Sequence, residues 1–286
     1  MTSTVLDGVF CLLLISAAVV TVTTATPQEP AGAGRAPDVA STLTTSTASV
    51  NYTLTPRPDT TDVAFQTRTG AAFGRTSHGT LATLLARAAV GRAAVDGERL
   101  SHTHDGFAQA VARAVGGVVR SNHTRITAVW RPYPDSSIAG RVVVGARPPP
   151  GVPVHAATIT VPSGFPSTRA AARSAARQRG VDGVADAVAT GFVNGLFPPT
   201  RTRVAAGGSP PASAVIRHRY RRAERRFGVE RSATLADGGV GTANDRLAAA
   251  VSDRIARDLR RTNASASDAA DSVRLDRVHI TVRTWP

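Results

Sequence analysis

The sequence predicts an α+β protein with a single N-terminal transmembrane helix, followed by an exterior domain with an antiparallel sheet and several amphipathic helices. Three observations predict this fold class. A charge-free hydrophobic run extends from Val9 to Ala25. Beyond it, β-branched runs between turn signals are grouped in blocks, and other blocks carry apolar residues at the three- and four-residue spacing of helices. Blocks of strands and blocks of helices are typical of α+β folds.

The composition favours one domain with a core of small side chains. The chain has 286 residues, of which 42% are hydrophobic but only 5% aromatic, so Ala, Val and Leu must supply most of the core. All 34 basic residues are Arg, and the net charge of +14 favours anionic partners. The one cysteine, Cys11, lies in the hydrophobic run, which excludes disulfides and thiolate metal sites from the domain.

The hydrophobic run near the N-terminus is predicted to cross a membrane. As a helix it would span about 25 Å, slightly less than a hydrocarbon core of about 30 Å. Pro27 ends the run, and the small residues Thr23 and Ala25 leave cleavage as a signal peptide as the alternative. The predicted localisation is therefore the cell membrane, with a single pass and the bulk of the chain outside the cytoplasm.

The chain divides by composition into three parts. We assign residues 1–26 to the membrane anchor or signal segment, residues 27–49 to a flexible Pro- and Thr-rich tether, and residues 50–286 to the exterior α+β domain. Sequons at Asn51, Asn122 and Asn263 are candidates for N-glycosylation, although such triplets also arise by chance in a chain rich in Thr and Ser.

The first part of the domain is predicted to contain two strands and two helices. Short strands are expected at residues 50–55 and 63–67. Thr80 can cap a helix whose inner face carries Leu81, Leu84, Leu85 and Ala88. Asp105 begins the second helix, whose inner face carries Phe107, Val111, Val115 and Val118.

A strand-rich middle section follows. The β-branched runs at 126–130, 141–146 and 155–161 are separated by turn signals, and they predict a three-stranded antiparallel meander. Ser167 can cap a short helix. A second helix, over residues 181–196, is expected to bury Val181, Val184, Val188 and Phe192.

Two helices and a strand complete the domain. Residues 214–227 predict a basic amphipathic helix with an apolar stripe of Ile216, Tyr220, Ala223 and Phe227. The next helix opens at Thr242 and is expected to bury Leu247, Val251, Ile255 and Leu259. The last strand places Val278, Ile280 and Val282 on one face.

Two polar clusters are candidates for a functional site. His102, His104 and Asp105 form the tightest group of metal-type ligands, but a polar helix start also explains them and no further ligand has diagnostic spacing. The basic helix offers anion-binding candidates, with a solvated face as the alternative: Arg217, Arg221, Arg222, Arg225 and Arg226. Because a nucleophile elbow and a complete phosphate loop are both missing, we predict no catalytic residue, no metal and no cofactor.

Four segments of the chain resemble an uncharacterised family of haloarchaeal membrane-anchored proteins. They are STVLDGVFCLLLISAAVVTV, HGTLATLLARAAV, VWRPYPDSSIAGRVVVGARPPPGVPVHAATITVPSG and the terminal VRTWP. The resemblance covers nearly the whole chain. It implies an association with gene clusters for pilus-like or tight-adherence secretion components, and it carries over no catalytic residue.

We therefore predict a non-enzymatic, membrane-anchored surface protein that is an accessory component of a type IV pilus-like or secretion assembly. Its expected partners are proteins of that assembly, together with anionic lipid or acidic surface proteins. Nucleic acid is not expected, because the basic segment lacks interleaved aromatic residues. Two alternatives stay open: an exported metal-dependent hydrolase using the region from His102 to Asp105, and a polyanion-binding surface domain acting through the basic helix.

Overall fold

A computed structural model describes residues 35–54, 73–120, 122–229, 235, 239–262 and 265–286. Within these ranges the strands are β1 (Thr47–Thr53), β2 (Gly74–Thr80), β3 (Ala94–Val95), β4 (Glu98–Arg99), β5 (Thr124–Trp130), β6 (Ile138–Val144), β7 (His155–Pro162) and β8 (Arg277–Thr284). The helices are α1 (Ala36–Thr45), α2 (Leu81–Gly91), α3 (Asp105–Val119), α4 (Arg169–Leu196), α5 (Pro199–Gly207), α6 (Ala212–Phe227), α7 (Gly239–Arg261) and α8 (Ala266–Asp271). The fold is α+β.

In the described part of the chain, six strands form one antiparallel sheet in the order β4-β3-β6-β5-β8-β7. β1 and β2 form a separate antiparallel hairpin. The predicted meander is wrong, because β7 pairs with β8 and not with β6. β8 lies between β5 and β7, with Thr284 opposite Thr124 of β5. Val278, Ile280 and Val282 on the inner face of β8 are buried, as expected for a strand that has a neighbour on each side and helices packed against that face.

Helices α1, α2 and α3 cover the inner face of the sheet. α2 contacts β5, β6, β7 and β8, and α1 contacts β7 and β8. The Thr80 hydroxyl accepts a hydrogen bond from the Thr83 amide, which confirms the predicted cap of α2. Gly140 of β6 allows α2 to approach closely, because a Cβ atom there would lie 2.0 Å from the Ala89 carbonyl oxygen.

Helices α4 to α8 form a helical layer beside the sheet. α4 packs along α7, and α8 packs against α4. The helical conformation of α4 is interrupted at Gly180 (φ +60°), which agrees with two helices predicted on either side of this residue. Trp130 of β5 stacks with Phe192 of α4, with 5.8 Å between ring centroids, and so joins the sheet to the helical layer.

The predicted transmembrane helix needs correction. Among the helices that the structure describes, none combines the length and the apolar character needed to cross a membrane. The longest, α4, carries charged residues such as Arg179 and Asp186. The predicted fold class is therefore wrong in its transmembrane helix. The predicted single-pass membrane localisation is wrong for the same reason. The run from Val9 to Ala25 lies outside the described residues.

Other local predictions have mixed outcomes. Part of the predicted tether at residues 27–49 forms helix α1, because Ala36, Ala40 and Leu43 share a face that is buried in the core. Val118 was predicted to face inward on α3 but is 45% exposed. The predicted strand at 63–67 lies outside the described residues. In α7 the predicted buried seam is confirmed: Leu247, Val251, Ile255 and Leu259 are all buried.

Candidate functional site

The outer face of the sheet carries a row of side chains on each of its four long strands, and we call this surface the open sheet face. Residues in a strand alternate between the two faces, and the alternate residues on the inner face pack against α1, α2 and α3. None of the residues of the open sheet face is buried. They are Arg125, Thr127, Val129, Ala139, Arg141, Val143, Ala156, Thr158, Thr160, Pro162, Arg277, His279, Thr281 and Arg283.

The open sheet face is cationic. It contains four arginines and no Asp or Glu. Arg277 lies 3.7 Å from the Asp276 carboxylate, but no described carboxylate pairs with Arg125, Arg141 or Arg283. Arg125 and Arg283 are register partners across β5 and β8. Like charges directly opposite each other destabilise a sheet, so this pair is unfavourable in the isolated chain.

Hydroxyl groups lie between the arginines of the open sheet face. Thr127, Thr281 and Thr158 are register partners on three neighbouring strands, and the hydroxyl oxygens of Thr158 and Thr281 are 3.3 Å apart. His279 Nδ1 lies 3.3 Å from the Thr160 hydroxyl. Burial, together with the nearby charges of Arg274 and Arg277, lowers the pKa of His279. The surface therefore offers hydrogen-bond donors for acidic groups without offering acidic groups of its own.

The predicted anion-binding arginines of helix α6 are engaged differently. Arg222 donates to the Arg99 carbonyl, 3.3 Å away, and Arg226 donates to the Val95 carbonyl, 2.7 Å away. Arg226 also pairs with the Asp96 carboxylate. These contacts attach the helix to the β3–β4 hairpin.

Of the other predicted arginines of this helix, Arg225 lies beside that contact and lines a small pocket with Arg222 and Arg226. Arg217 donates to the Ser213 hydroxyl one turn away. Arg221 is half-buried, whereas Arg225 is exposed. The five candidates therefore do not form one continuous exposed surface, because the helix turns them toward different neighbours.

The structure separates His104 from the other two predicted metal-type ligands. Asp105 is buried, pairs with Arg99 and lies 3.0 Å from His102 Nδ1 through its second carboxylate oxygen. His104 turns instead toward a cavity, next to Arg219. Nowhere in the described ranges do three or more His, Cys, Asp or Glu residues come together as a possible metal site. The hydrolase alternative stays a prediction, and no contact in this region supports it specifically.

Asp258 of α7 is a buried carboxylate that the sequence did not single out. It accepts hydrogen bonds from the Ser137 amide and hydroxyl and from the Tyr133 hydroxyl, 3.3 Å away. Arg254 and Arg261 pair with its other oxygen. Burial alone would raise the pKa of Asp258, but the Ser137 hydrogen bonds and the two arginines hold this pKa below its usual range. This cluster fixes the β5–β6 turn to the helical layer.

The three candidate glycosylation residues differ in their structural surroundings. Asn51 is exposed on β1, where its side-chain oxygen accepts a hydrogen bond from the Thr76 hydroxyl. Asn122 is exposed in the turn before β5. Asn263 lies outside the described residues.

The comparisons with known proteins give a family and no activity. The family model described as Family of unknown function (DUF7284) matches residues 6–285. No curated protein and no solved structure matches the chain. Because the match covers nearly the whole chain, the protein belongs to the DUF7284 family.

Proposed function

We propose that this member of the DUF7284 family is a non-enzymatic accessory component of a pilus-like or secretion assembly, and that it binds an acidic protein surface through the open sheet face. The observation that carries the proposal is the cationic surface of the four long strands, where no described carboxylate pairs with Arg125, Arg141 or Arg283 and where Arg125 opposes Arg283. The resemblance of the sequence to haloarchaeal proteins encoded with pilus-like or tight-adherence components supports the choice of assembly.

The charge of the open sheet face favours an acidic partner. The repulsion between Arg125 and Arg283 raises the free energy of the unbound chain, and carboxylates placed between the two guanidinium groups would relieve it. Arginine is enriched at the centre of protein interfaces, and its planar fork can bind a carboxylate through two hydrogen bonds. The threonine hydroxyls between the arginines can donate to further acidic or carbonyl oxygens.

The residue composition of the open sheet face favours a protein partner over a nucleic acid. Its side chains include no Phe, Tyr or Trp on which unpaired bases could stack. From strand spacing and rise, the face measures roughly 20 Å in each direction, about half the area that each partner contributes to a standard interface. We therefore expect a transient contact of micromolar strength.

A crosslinking pull-down from native cells tests this function. We would compare the full wild-type chain with a face variant carrying Arg125→Gln, Arg141→Gln and Arg283→Gln. The matched control carries Arg177→Gln, Arg203→Gln and Arg257→Gln, which remove the same charge from exposed positions in α4, α5 and α7. We expect the wild type and the control to recover the same acidic pilus or secretion proteins, and the face variant to lose them.

Two results would contradict the proposal. The first is recovery of the same partners by the face variant, since the contact would then lie elsewhere. The second is tighter binding of purified wild-type chain to a single-stranded or duplex oligonucleotide than to the recovered protein at equal salt. Binding of the recovered protein should weaken as salt is raised, because the interaction is between charged surfaces.

A further inference from the structure

A cavity of about 510 Å³ lies between α2, the start of α3 and the helical layer. Its wall comes from α2, α5 and α6, from the loop that follows β7, and from the loop between α4 and α5. This volume falls within the range of roughly 300–1,000 Å³ typical of small-molecule sites. The cavity is distinct from the open sheet face, and the inference drawn from it does not depend on the proposed function.

The polar part of the cavity wall is cationic. Arg87, Arg201 and Arg219 line it, and none of the described lining residues is Asp or Glu. Arg219 donates to the Leu196 carbonyl, 3.1 Å away, and its guanidinium lies 5.4 Å from the centroid of the Phe197 ring. No described carboxylate pairs with Arg219. Arg219 is half-buried, so its guanidinium is partly removed from water without a carboxylate beside it, and an anion in the cavity would offset that cost.

The surroundings of His104 report the same positive environment. Burial is the largest cause and the charges of Arg219 and Arg87 add to it; against the opposing effect of Asp105, they lower the pKa of His104 to about 3. His104 is therefore neutral at ordinary pH and contributes hydrogen bonds rather than charge. Arg87 uses one donor on the Ser77 hydroxyl, 2.7 Å away, and Arg219 uses one on the Leu196 carbonyl, so each guanidinium keeps further donors for a ligand.

The rest of the wall is mostly apolar. Val90, Leu100, Phe165, Leu196 and Ile216 contribute to it. A ligand that fills this space must therefore combine an anionic group with a hydrophobic body, since apolar surface gains most from an apolar partner. Arg201 is exposed and lies where the cavity meets solvent, whereas Arg219 is half-buried.

We propose that this cavity binds a small amphiphilic anion, whose carboxylate or phosphate group contacts Arg219 and Arg201 and whose apolar body packs against Phe165, Leu196 and Ile216. The planar guanidinium of Arg219 can hold two oxygens of either group at once. Arg219 lies on the basic helix but was not among the anion-binding arginines predicted from the sequence. Its position three residues after Ile216 and four before Ala223 places it at the edge of the buried stripe, and this is the signal that could have identified it.

Calorimetric titration of the full chain with three probes tests this site. Benzoate and phenyl phosphate carry the two candidate anionic groups on the same ring, and benzyl alcohol is the neutral control. We expect at least one of the two anions to bind and benzyl alcohol to bind roughly tenfold more weakly or not at all, because charge-assisted hydrogen bonds supply most of the selectivity. The anion that binds more tightly identifies the ligand class.

Matched variants locate the binding. Arg219→Gln should weaken the better anion by roughly tenfold or more, whereas Arg217→Gln, on the outer side of the same helix, should change it by less than about twofold. Arg201→Gln provides a second test at an exposed position, where the fold does not depend on the side chain. The inference is overturned if neither anion binds the wild type at concentrations of about 10 mM, if benzyl alcohol binds equally well, or if Arg219→Gln and Arg201→Gln both leave the affinity unchanged.

Discussion

The helical layer and the open sheet face are both rich in arginine, but their arginines have different neighbours. In the helical layer, Arg226 and Arg254 both pair with Asp96, and Arg254 and Arg261 pair with the buried Asp258. On the open sheet face, Arg125 faces Arg283. Arginine therefore stabilises this chain internally in one region, whereas in the other three of the four arginines have no carboxylate partner among the described residues.

The largest effect is expected when the carboxylate that anchors the helical layer is removed. Asp258→Ala should lower the free energy of unfolding by about 3 kcal/mol, because it leaves Ser137, Tyr133 and two arginines without their shared acceptor. Chemical denaturation measures the change. Asp253→Ala, at an exposed position on the same helix, is the control and should cost less than about 0.5 kcal/mol. Equal losses in the two variants would show that the cluster around Asp258 does not anchor the layer.

A smaller loss is expected for an arginine of the basic helix. Arg226→Ala should destabilise the chain by about 2 kcal/mol, since the guanidinium donates to the Val95 carbonyl and pairs with Asp96. Arg257→Ala, exposed on α7, should have almost no effect in the same denaturation experiment. If Arg226→Ala were equally harmless, the arginines of α6 would be as available for a partner as those of the sheet.

Two histidines report on the electrostatic environment of the cavity beside the helical layer and on that of the open sheet face. His104 titrates near pH 3 in the folded chain and near 6.5 when unfolded, so the unfolded state binds more protons as pH falls below 6.5. The stability contributed by neutral His104 is present above pH 6.5 and is lost toward pH 3. The wild-type chain should lose free energy of unfolding as the pH falls from 7 to 5. We expect His104→Asn to remove up to about 2 kcal/mol of that loss. His279→Asn, on the open sheet face, should remove a smaller part of the pH-dependent loss of stability. A larger effect for His279→Asn than for His104→Asn would contradict this prediction.

The smallest expected change is a gain in stability on the open sheet face. Arg283→Thr should stabilise the isolated chain by about 0.5 kcal/mol at low salt, because it removes the like charge opposite Arg125. Arg125→Thr should give a similar gain, and the double variant should gain less than the sum of the two. Both gains should shrink in about 1 M salt, where charges are screened within about 3 Å. Destabilisation by either substitution at low salt would mean that the two arginines do not repel.

Local patterns in the sequence predicted local structure well, and they failed where distant segments meet. The cap at Thr80 and the buried seam of α7 depend on residues within a few turns, and both are confirmed. The position of β8 between β5 and β7 depends on pairing between residues far apart in the chain, which periodicity does not specify.

The same distinction separates the two arginine-rich regions. The run of arginines in α6 is conspicuous because its members are adjacent in sequence, yet packing ties Arg222 and Arg226 to the β3–β4 hairpin. Arg125, Arg141 and Arg283 are isolated in sequence and become one surface only through the register of β5, β6 and β8. Arg219 likewise becomes part of a cavity only when α6 packs beside α2 and α5.

The central position of β8 also constrains the order in which the chain can fold during synthesis. β5, β6 and β7 leave the ribosome long before residue 284, but among the described strands β7 pairs only with β8, which joins it to β5. Until β8 is made, the edges of β5 and β7 expose unpaired backbone groups that can pair with other chains. Because Thr124 must pair with Thr284, closure of the sheet is a long-range step, and we expect it to be slow and to expose the nascent chain to aggregation until β8 has been made.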